Sequence, residues 1–169
     1  MAQATTFFVK TTMPDITEQS YYLSILAHTP PAQLKEFTES ILTLLAETDA
    51  DVEVLQNRTG LAMLPYTDSV QGTPFHLGEV LMSEAHVRVQ EQEGYGACLG
   101  RDLEQSLAIA ILDALIQSVP PSMLRQGVQT FSLQTAIIEF VTAQAEVQEA
   151  ADHELLRKVE ATRVEMEVF

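Results

Sequence analysis

Residues 94–115, GYGACLGRDLEQSLAIAILDAL, decide the fold of this chain, because a short strand end leads through a glycine turn into a nearly all-apolar helix. Asp102 is a natural N-cap, since its carboxylate can accept a backbone N–H of the first helical turn. Apolar residues then recur at helical spacing, at Leu103, Leu107, Ile111 and Leu115. The pattern predicts a helix that begins directly after Asp102.

This helix is apolar over most of its circumference. Asp113 is the one polar residue between Leu107 and Ile116. Such a helix is buried in a large core, in a membrane or against another chain. In a chain of 169 residues, contact with another chain is an important option, and we expect the helix to supply interface surface.

The composition excludes several classes of function. With 24 acidic against 9 basic residues the formal net charge is −15, and no basic run is present, so nucleic acid is not an expected partner. The N-terminus lacks a basic region before a long apolar run, and Asp113 interrupts the most apolar segment, which favours a cytoplasmic protein without a membrane span. Cys98, the only cysteine, is expected to be a buried and inert thiol.

The chain length fits one domain, and we predict a single domain over 15–169 after a poorly ordered lead-in, 1–14. The predicted fold class is α+β: an antiparallel sheet with an N-terminal helical hairpin, a central buried helix, and a C-terminal helix followed by a strand. Helices are predicted at 17–27, 30–47 and 143–161, besides the one after Asp102. Residues 130–141 fit a buried helix and a strand equally well.

Alternating apolar and polar residues predict the strands. The turn residues Asn57-Arg58-Thr59-Gly60 between 52–56 and 61–66 give a β-hairpin signal. A strand at 75–81 is separated from one at 84–90, because a single strand across both would exceed the usual length. The second of these should bury the side chains of Ala85, Val87 and Val89. Short strands at 95–99 and 163–169 complete the set.

Gly94, Gly96 and Gly100 form a G-x-G-x-x-x-G pattern between a strand and a helix, which is one candidate for a nucleotide-binding loop. A dinucleotide site needs a parallel strand–helix–strand unit and an acidic residue about 20 residues later. Here that distance falls inside the helix or at Pro120. A turn with a close approach of strand and helix is therefore the favoured interpretation.

Other candidate groups carry weaker signals. The 4 histidines are scattered without metal-ligand spacing, although His76 and Glu79 could meet a ligand in a loop. Glu79 could also be a partly buried acid suited to proton transfer, but a solvent-facing side chain is favoured. Arg101 could project from the start of the helix toward a phosphate or an acidic partner, and a local surface arginine is an equally good interpretation.

Several blocks occur together in a characteristic order: SILAHTPPAQL at 24–34, TGLAML at 59–64, GTPFHLGEVLMSEAHVRV at 72–89, the segment 94–115, and VEATRVEMEVF at 159–169. In these blocks the chain resembles the G-subunit family of the carbon–phosphorus lyase system for phosphonate use, PhnG. The resemblance extends from about Tyr21 to the C-terminus. One departure is Glu84, which stands where an arginine is usual.

The resemblance implies a subunit of a cytoplasmic core complex with H, I and J subunits, working with the L protein. In that family, these proteins support transfer of a phosphonate onto C1 of the ATP ribose with release of adenine. The product from methylphosphonate is α-D-ribose 1-methylphosphonate 5-triphosphate. MgATP is then a substrate of the complex, and we expect no cofactor or metal in this subunit.

The residues themselves offer neither concentrated positive charge nor a clear carboxylate array for a triphosphate. We therefore expect an accessory subunit without a complete active site, and we assign no catalytic residue. The alternative is a free-standing small-molecule or nucleotide-binding module, with Tyr95, Arg101 and the glycine turn lining its pocket. The candidate partner contacts or structural signatures are Gly94, Tyr95, Gly100, Arg101, Asp102, Asp113 and Arg163.

Overall fold

A computed structural model describes residues 18–47, 50–118 and 133–162. The elements in chain order are helices α1 (Gln19–His28) and α2 (Pro31–Leu45), strands β1 (Val52–Thr67), β2 (Pro74–Val89) and β3 (Gln92–Leu99), and helices α3 (Leu103–Gln117) and α4 (Leu133–Ala161). The strands form one antiparallel sheet in the order β1-β2-β3. The predicted α+β class with its N-terminal helix pair is confirmed. The predicted lead-in at 1–14 and closing strand at 163–169 lie outside the described residues.

Helix α3 forms the centre of the core. Residues 108–116 are all buried, Asp113 among them. One side of the helix packs against β2 and β3, and the other side packs against α1, α2 and α4. The expectation that α3 supplies interface surface is therefore wrong, because the chain's own sheet and helices cover its apolar residues 108–116.

The flanking elements bury one face each. Strand β2 buries Ala85, Val87 and Val89 against α3, as the alternation predicts. Helix α4 begins at Leu133, so the ambiguous segment is helical where it is described. Its buried residues Ile137 and Val141 lie one turn apart and face the core.

The predicted hairpin turn at 57–60 is wrong, since β1 runs without interruption from Val52 to Thr67. Gly60 has no positive φ and pairs with Met82 across the sheet. The turn lies instead at 68–73, where the Asp68 carboxylate accepts the backbone N–H groups of Val70 (3.2 Å) and Gln71 (2.9 Å). Gly72 supplies the left-handed backbone there, with φ of 68°.

The predicted separation of 75–81 from 84–90 is also wrong, because β2 is a single strand of 16 residues. Its pairing with β1 continues along almost the whole length, with register shifts only at 54/56 and 64/65. The usual strand length predicts a break in this segment. The two long strands instead stabilise each other through their ladder hydrogen bonds. Strand β3 pairs only with residues 82–89 of β2, so the rest of the β1–β2 ribbon has two strands.

Candidate functional site

Gly94 and Gly96, two glycines of the segment 94–115, lie on β3 and face α3. A Cβ atom on Gly94 would lie 2.5 Å from Ala114 N, and one on Gly96 would lie 2.5 Å from Ala110 N. The helix backbone therefore occupies the space that a bound pyrophosphate would need. Gly100 makes the turn with φ of +84°. The favoured interpretation, a close approach of strand and helix, is confirmed. Among the described residues all three strands are antiparallel, so they do not form the parallel strand–helix–strand unit of a dinucleotide site.

Asp102 caps α3 as predicted. Its Oδ1 accepts the Gln105 N–H at 2.9 Å, and its Oδ2 binds Lys35 Nζ at 3.1 Å. Partial burial acts to raise the pKa of Asp102, but the Gln105 N–H and the Lys35 ammonium hold that pKa below its usual value. The carboxylate thus joins α2 to the start of α3 as a charged group.

Ser83 connects this cap to the sheet. The Ser83 Oγ accepts the Asp102 N–H at 2.9 Å and donates to the Gly100 carbonyl at 3.0 Å. Its side chain is fully buried on β2. The Ser83 hydroxyl group therefore binds both ends of the turn that runs from Gly100 to Asp102.

Asp113 is the second structural carboxylate of α3, and its side chain is fully buried. Oδ1 accepts from the Tyr22 hydroxyl at 2.6 Å and from Gln19 at 3.1 Å, while Oδ2 accepts the Tyr95 N–H at 2.7 Å and the Gln117 amide at 2.9 Å. Burial and the hydrogen bond to Asp113 raise the pKa of Tyr22. These bonds use the lone-pair sites of the carboxylate, so Asp113 ties α1, β3 and α3 together.

The other candidates of this segment lie apart from one another. Arg101 is exposed in the glycine turn. Tyr95 places its ring on the opposite face of the sheet from α3, where its hydroxyl donates to Glu84 at 2.8 Å. Cys98 is buried, as predicted, and that burial raises the pKa of its thiol. Arg163 lies outside the described residues.

The outer face of the sheet, opposite α3, carries a polar cluster that the sequence did not reveal. Glu84 accepts hydrogen bonds from Tyr95 on β3 and from Gln56 and Arg58 on β1. Arg58 is its direct partner across the strands. The Tyr95 hydroxyl and the Arg58 guanidinium lower the pKa of Glu84. Burial and the Glu84 carboxylate raise the pKa of Tyr95. The cluster therefore favours an ionised Glu84 and a neutral Tyr95.

Beside this cluster lies a groove of about 480 Å³ on the outer face. Small residues, namely Gly60, Ala62 and Ala97, open it, and Arg58, Met82, Glu84 and Tyr95 stand along it. This groove is not the pocket expected for a small-molecule module, because neither Arg101 nor Gly94 or Gly100 lines it. Tyr95 faces Arg58 and Glu84 instead.

The histidines are separate from this cluster. His86 contacts Glu93 at 3.0 Å within a surface network in which Arg88 joins Glu53 and Glu93. His76 and Glu79 are both exposed on β2, so the solvent-facing interpretation of Glu79 is confirmed. Within the described ranges, no group of three or more His, Cys, Asp or Glu side chains is arranged to hold a metal ion.

The far end of the β1–β2 ribbon is the least expected feature. We call residues 60–81 the distal arm; none of them is buried. Eight large apolar side chains in it are exposed: Leu61, Met63, Leu64, Tyr66, Val70, Phe75, Leu77 and Leu81. The signal was present in the sequence as apolar residues on both faces of each strand, but the predicted turn at 57–60 concealed it.

A family model and a known protein are both similar to this chain. A family model described as Phosphonate metabolism protein PhnG matches residues 17–169. The alpha-D-ribose 1-methylphosphonate 5-triphosphate synthase subunit PhnG of Rhizobium meliloti (strain 1021) is 44% identical over 61 residues, which are 36% of this chain and 39% of that protein. The aligned part is well under half of that relative. In the part of the chain that the structure describes, no helix combines the length and apolar character needed to cross a membrane. Because the family match covers nearly the whole sequence, the chain belongs to the PhnG family of phosphonate metabolism proteins.

Proposed function

We propose that this chain is an accessory subunit of a cytoplasmic carbon–phosphorus lyase complex with H, I and J subunits, working with the L protein. In this role it supports transfer of methylphosphonate onto C1 of the ATP ribose, with release of adenine. The observation that carries the proposal is the family match over 17–169. The name of the Rhizobium meliloti relative, a subunit of alpha-D-ribose 1-methylphosphonate 5-triphosphate synthase, supports the reaction.

The side chains of the candidate site favour an accessory role over a complete active site. A triphosphate needs cations that are free to face it. Lys35, Arg58 and Arg88 each bind a carboxylate of this chain. Arg101 is exposed, but a single cation does not supply the concentrated positive charge that a triphosphate needs. Asp102 is used as a helix cap and Asp113 is buried among four donors, so neither acid can protonate a departing adenine.

MgATP is, in this proposal, a substrate held by the assembled complex, and this chain carries no cofactor of its own. Its contribution is to hold or shape a surface of a partner. The well-packed junction of β3 and α3 gives it a rigid frame, and the outer face of the sheet and the distal arm remain available for contact.

Adenine release tests the proposal. The chain alone, the partner set without it, and the full set are each incubated with MgATP and methylphosphonate, and adenine is measured by chromatography. We expect adenine only from the full set. Sustained adenine release by the chain alone refutes the accessory role, and full activity of the partner set without the chain refutes membership of the complex.

A further inference from the structure

We propose that the distal arm, residues 60–81, is the docking element of this subunit and inserts into an apolar cleft with a basic rim on another subunit of the complex. This inference rests on the proposed function, because it assigns a partner contact to a specific part of the chain. It concerns a surface of the molecule that is separate from the α3 junction.

The arm carries apolar side chains on both of its faces, unlike a ribbon that is exposed to water. Antiparallel strands with one free face normally keep that face polar. In the arm, Leu61 pairs with Leu81 on one face, while Ala62 pairs with Val80 on the other. Leu61 is 63% exposed and Leu77 is 57% exposed. Contiguous exposed apolar surface of this kind marks an interaction site.

In the described ranges, no third strand pairs with the edges of the arm. β3 ends its pairing at Met82, so the arm has only two strands among the described residues. A two-stranded ribbon is marginally stable by itself in water. Natural edge strands are protected by charged residues, above all lysine, yet the arm contains no Lys or Arg and only Asp68 and Glu79 as acids. The arm therefore has the character of a strand pair that is covered in the working assembly.

Size and charge identify the partner. A standard protein–protein interface uses about 20–30 residues on each side, and the arm has roughly that number. A second copy of this chain would bring together two bodies of formal charge −15 each, and like charges oppose that contact. A partner cleft with an apolar floor and basic rim complements both the arm and the acidic chain.

Assembly of the full chain with its H, I and J partners tests the arm. The test variant is Met63→Lys with Leu77→Lys, which places two charges on exposed arm positions. The matched control is Val147→Lys with Leu155→Lys on α4, where the exposed fractions of 63% and 60% resemble the 52% and 57% of the arm pair. Circular dichroism and thermal melting establish that each variant is folded, and the pair Met63→Ser with Leu77→Ser removes apolar surface without adding charge.

We expect the lysine pair in the arm to weaken assembly by about 100-fold and the serine pair by about 10-fold, as for central interface residues, with the α4 control within about two-fold of wild type. Normal assembly of both arm variants, with normal assembly of the wild type, overturns the arm proposal alone. Failure of the wild-type chain to bind any partner overturns the proposed function as well. A wild-type homodimer that the arm variants dissociate identifies a second copy as the occupant and overturns the proposal.

Discussion

Substitution of Gly94 by alanine probes the closeness of β3 and α3. The new Cβ would lie 2.5 Å from Ala114 N and 2.7 Å from Ala114 Cβ, and it would also press on the Ala110 carbonyl. Two of these three atoms belong to the helix backbone, which cannot rotate away as a side chain end can. The helix must therefore shift away from the strand, or the strand must bend.

The expected cost follows from the type of contact. Overpacking a core costs about 1–3 kcal/mol, and contact with backbone atoms places Gly94→Ala near 3 kcal/mol, roughly the upper end of that range. A loss of about 3 kcal/mol lowers the melting temperature of a domain of this size by roughly 6–12 °C. Asp113 would be disturbed as well, since it accepts the N–H of the neighbouring Tyr95.

The assay is urea unfolding of the full chain, followed by far-ultraviolet circular dichroism. Gly60→Ala is the matched control, because a Cβ on Gly60 meets no atom within 4 Å and surface substitutions usually change stability by less than about 0.5 kcal/mol. The reasoning is refuted if Gly94→Ala unfolds at the same urea concentration as the wild type, or if Gly60→Ala is equally damaging.

Two further substitutions test the carboxylates of α3. Asp113→Ala leaves buried donors without an acceptor and should lower the free energy of unfolding by about 3 kcal/mol, whereas exposed Glu79→Ala should have little effect in the same urea titration; equal effects would contradict the structural role of Asp113. Asp102 has a lowered pKa because Gln105 and Lys35 offset its partial burial, so its stabilising contribution is present above about pH 4 and is lost as the pH falls through the folded-state pKa. Asp102→Asn keeps a capping side chain and should show a weaker loss of stability below about pH 4 than the wild type, and identical acid unfolding curves would contradict this assignment.

The parts of the fold that depend on local chemistry were predictable. The start of α3 at Asp102, the buried face of β2 and the tight approach at Gly94 each follow from a few neighbouring residues. The turn predicted at 57–60 is wrong because Asn57-Arg58-Thr59-Gly60 is only a local signal, while the Asp68 carboxylate and Gly72 build the turn further along. In a long ribbon, pairing over many residues outweighs a local turn signal.

The contacts that define the site depend on residues far apart in the chain. Tyr22 meets Asp113 across 91 positions, and Arg58 meets Glu84 across 26 positions. No spacing rule within one helix predicts the first of these contacts, and the second is a direct cross-strand pair of β1 and β2 that a turn at 57–60 would not allow. The burial of α3 by its own chain has the same origin, since only the packed arrangement of α1, α2 and α4 reveals what covers it.

The continuity of β2 restricts how the length of the arm can vary between related proteins. Ser83 fixes the turn at Gly100 and the start of α3. It lies on β2, just beyond the last residue of the arm. Insertion of one residue into the arm would turn every following side chain to the other face, and Ser83 would lose its place beneath Gly100. The arm can therefore become longer or shorter only through changes in the turn at 68–73, through paired insertions in both strands, or through compensating bulges.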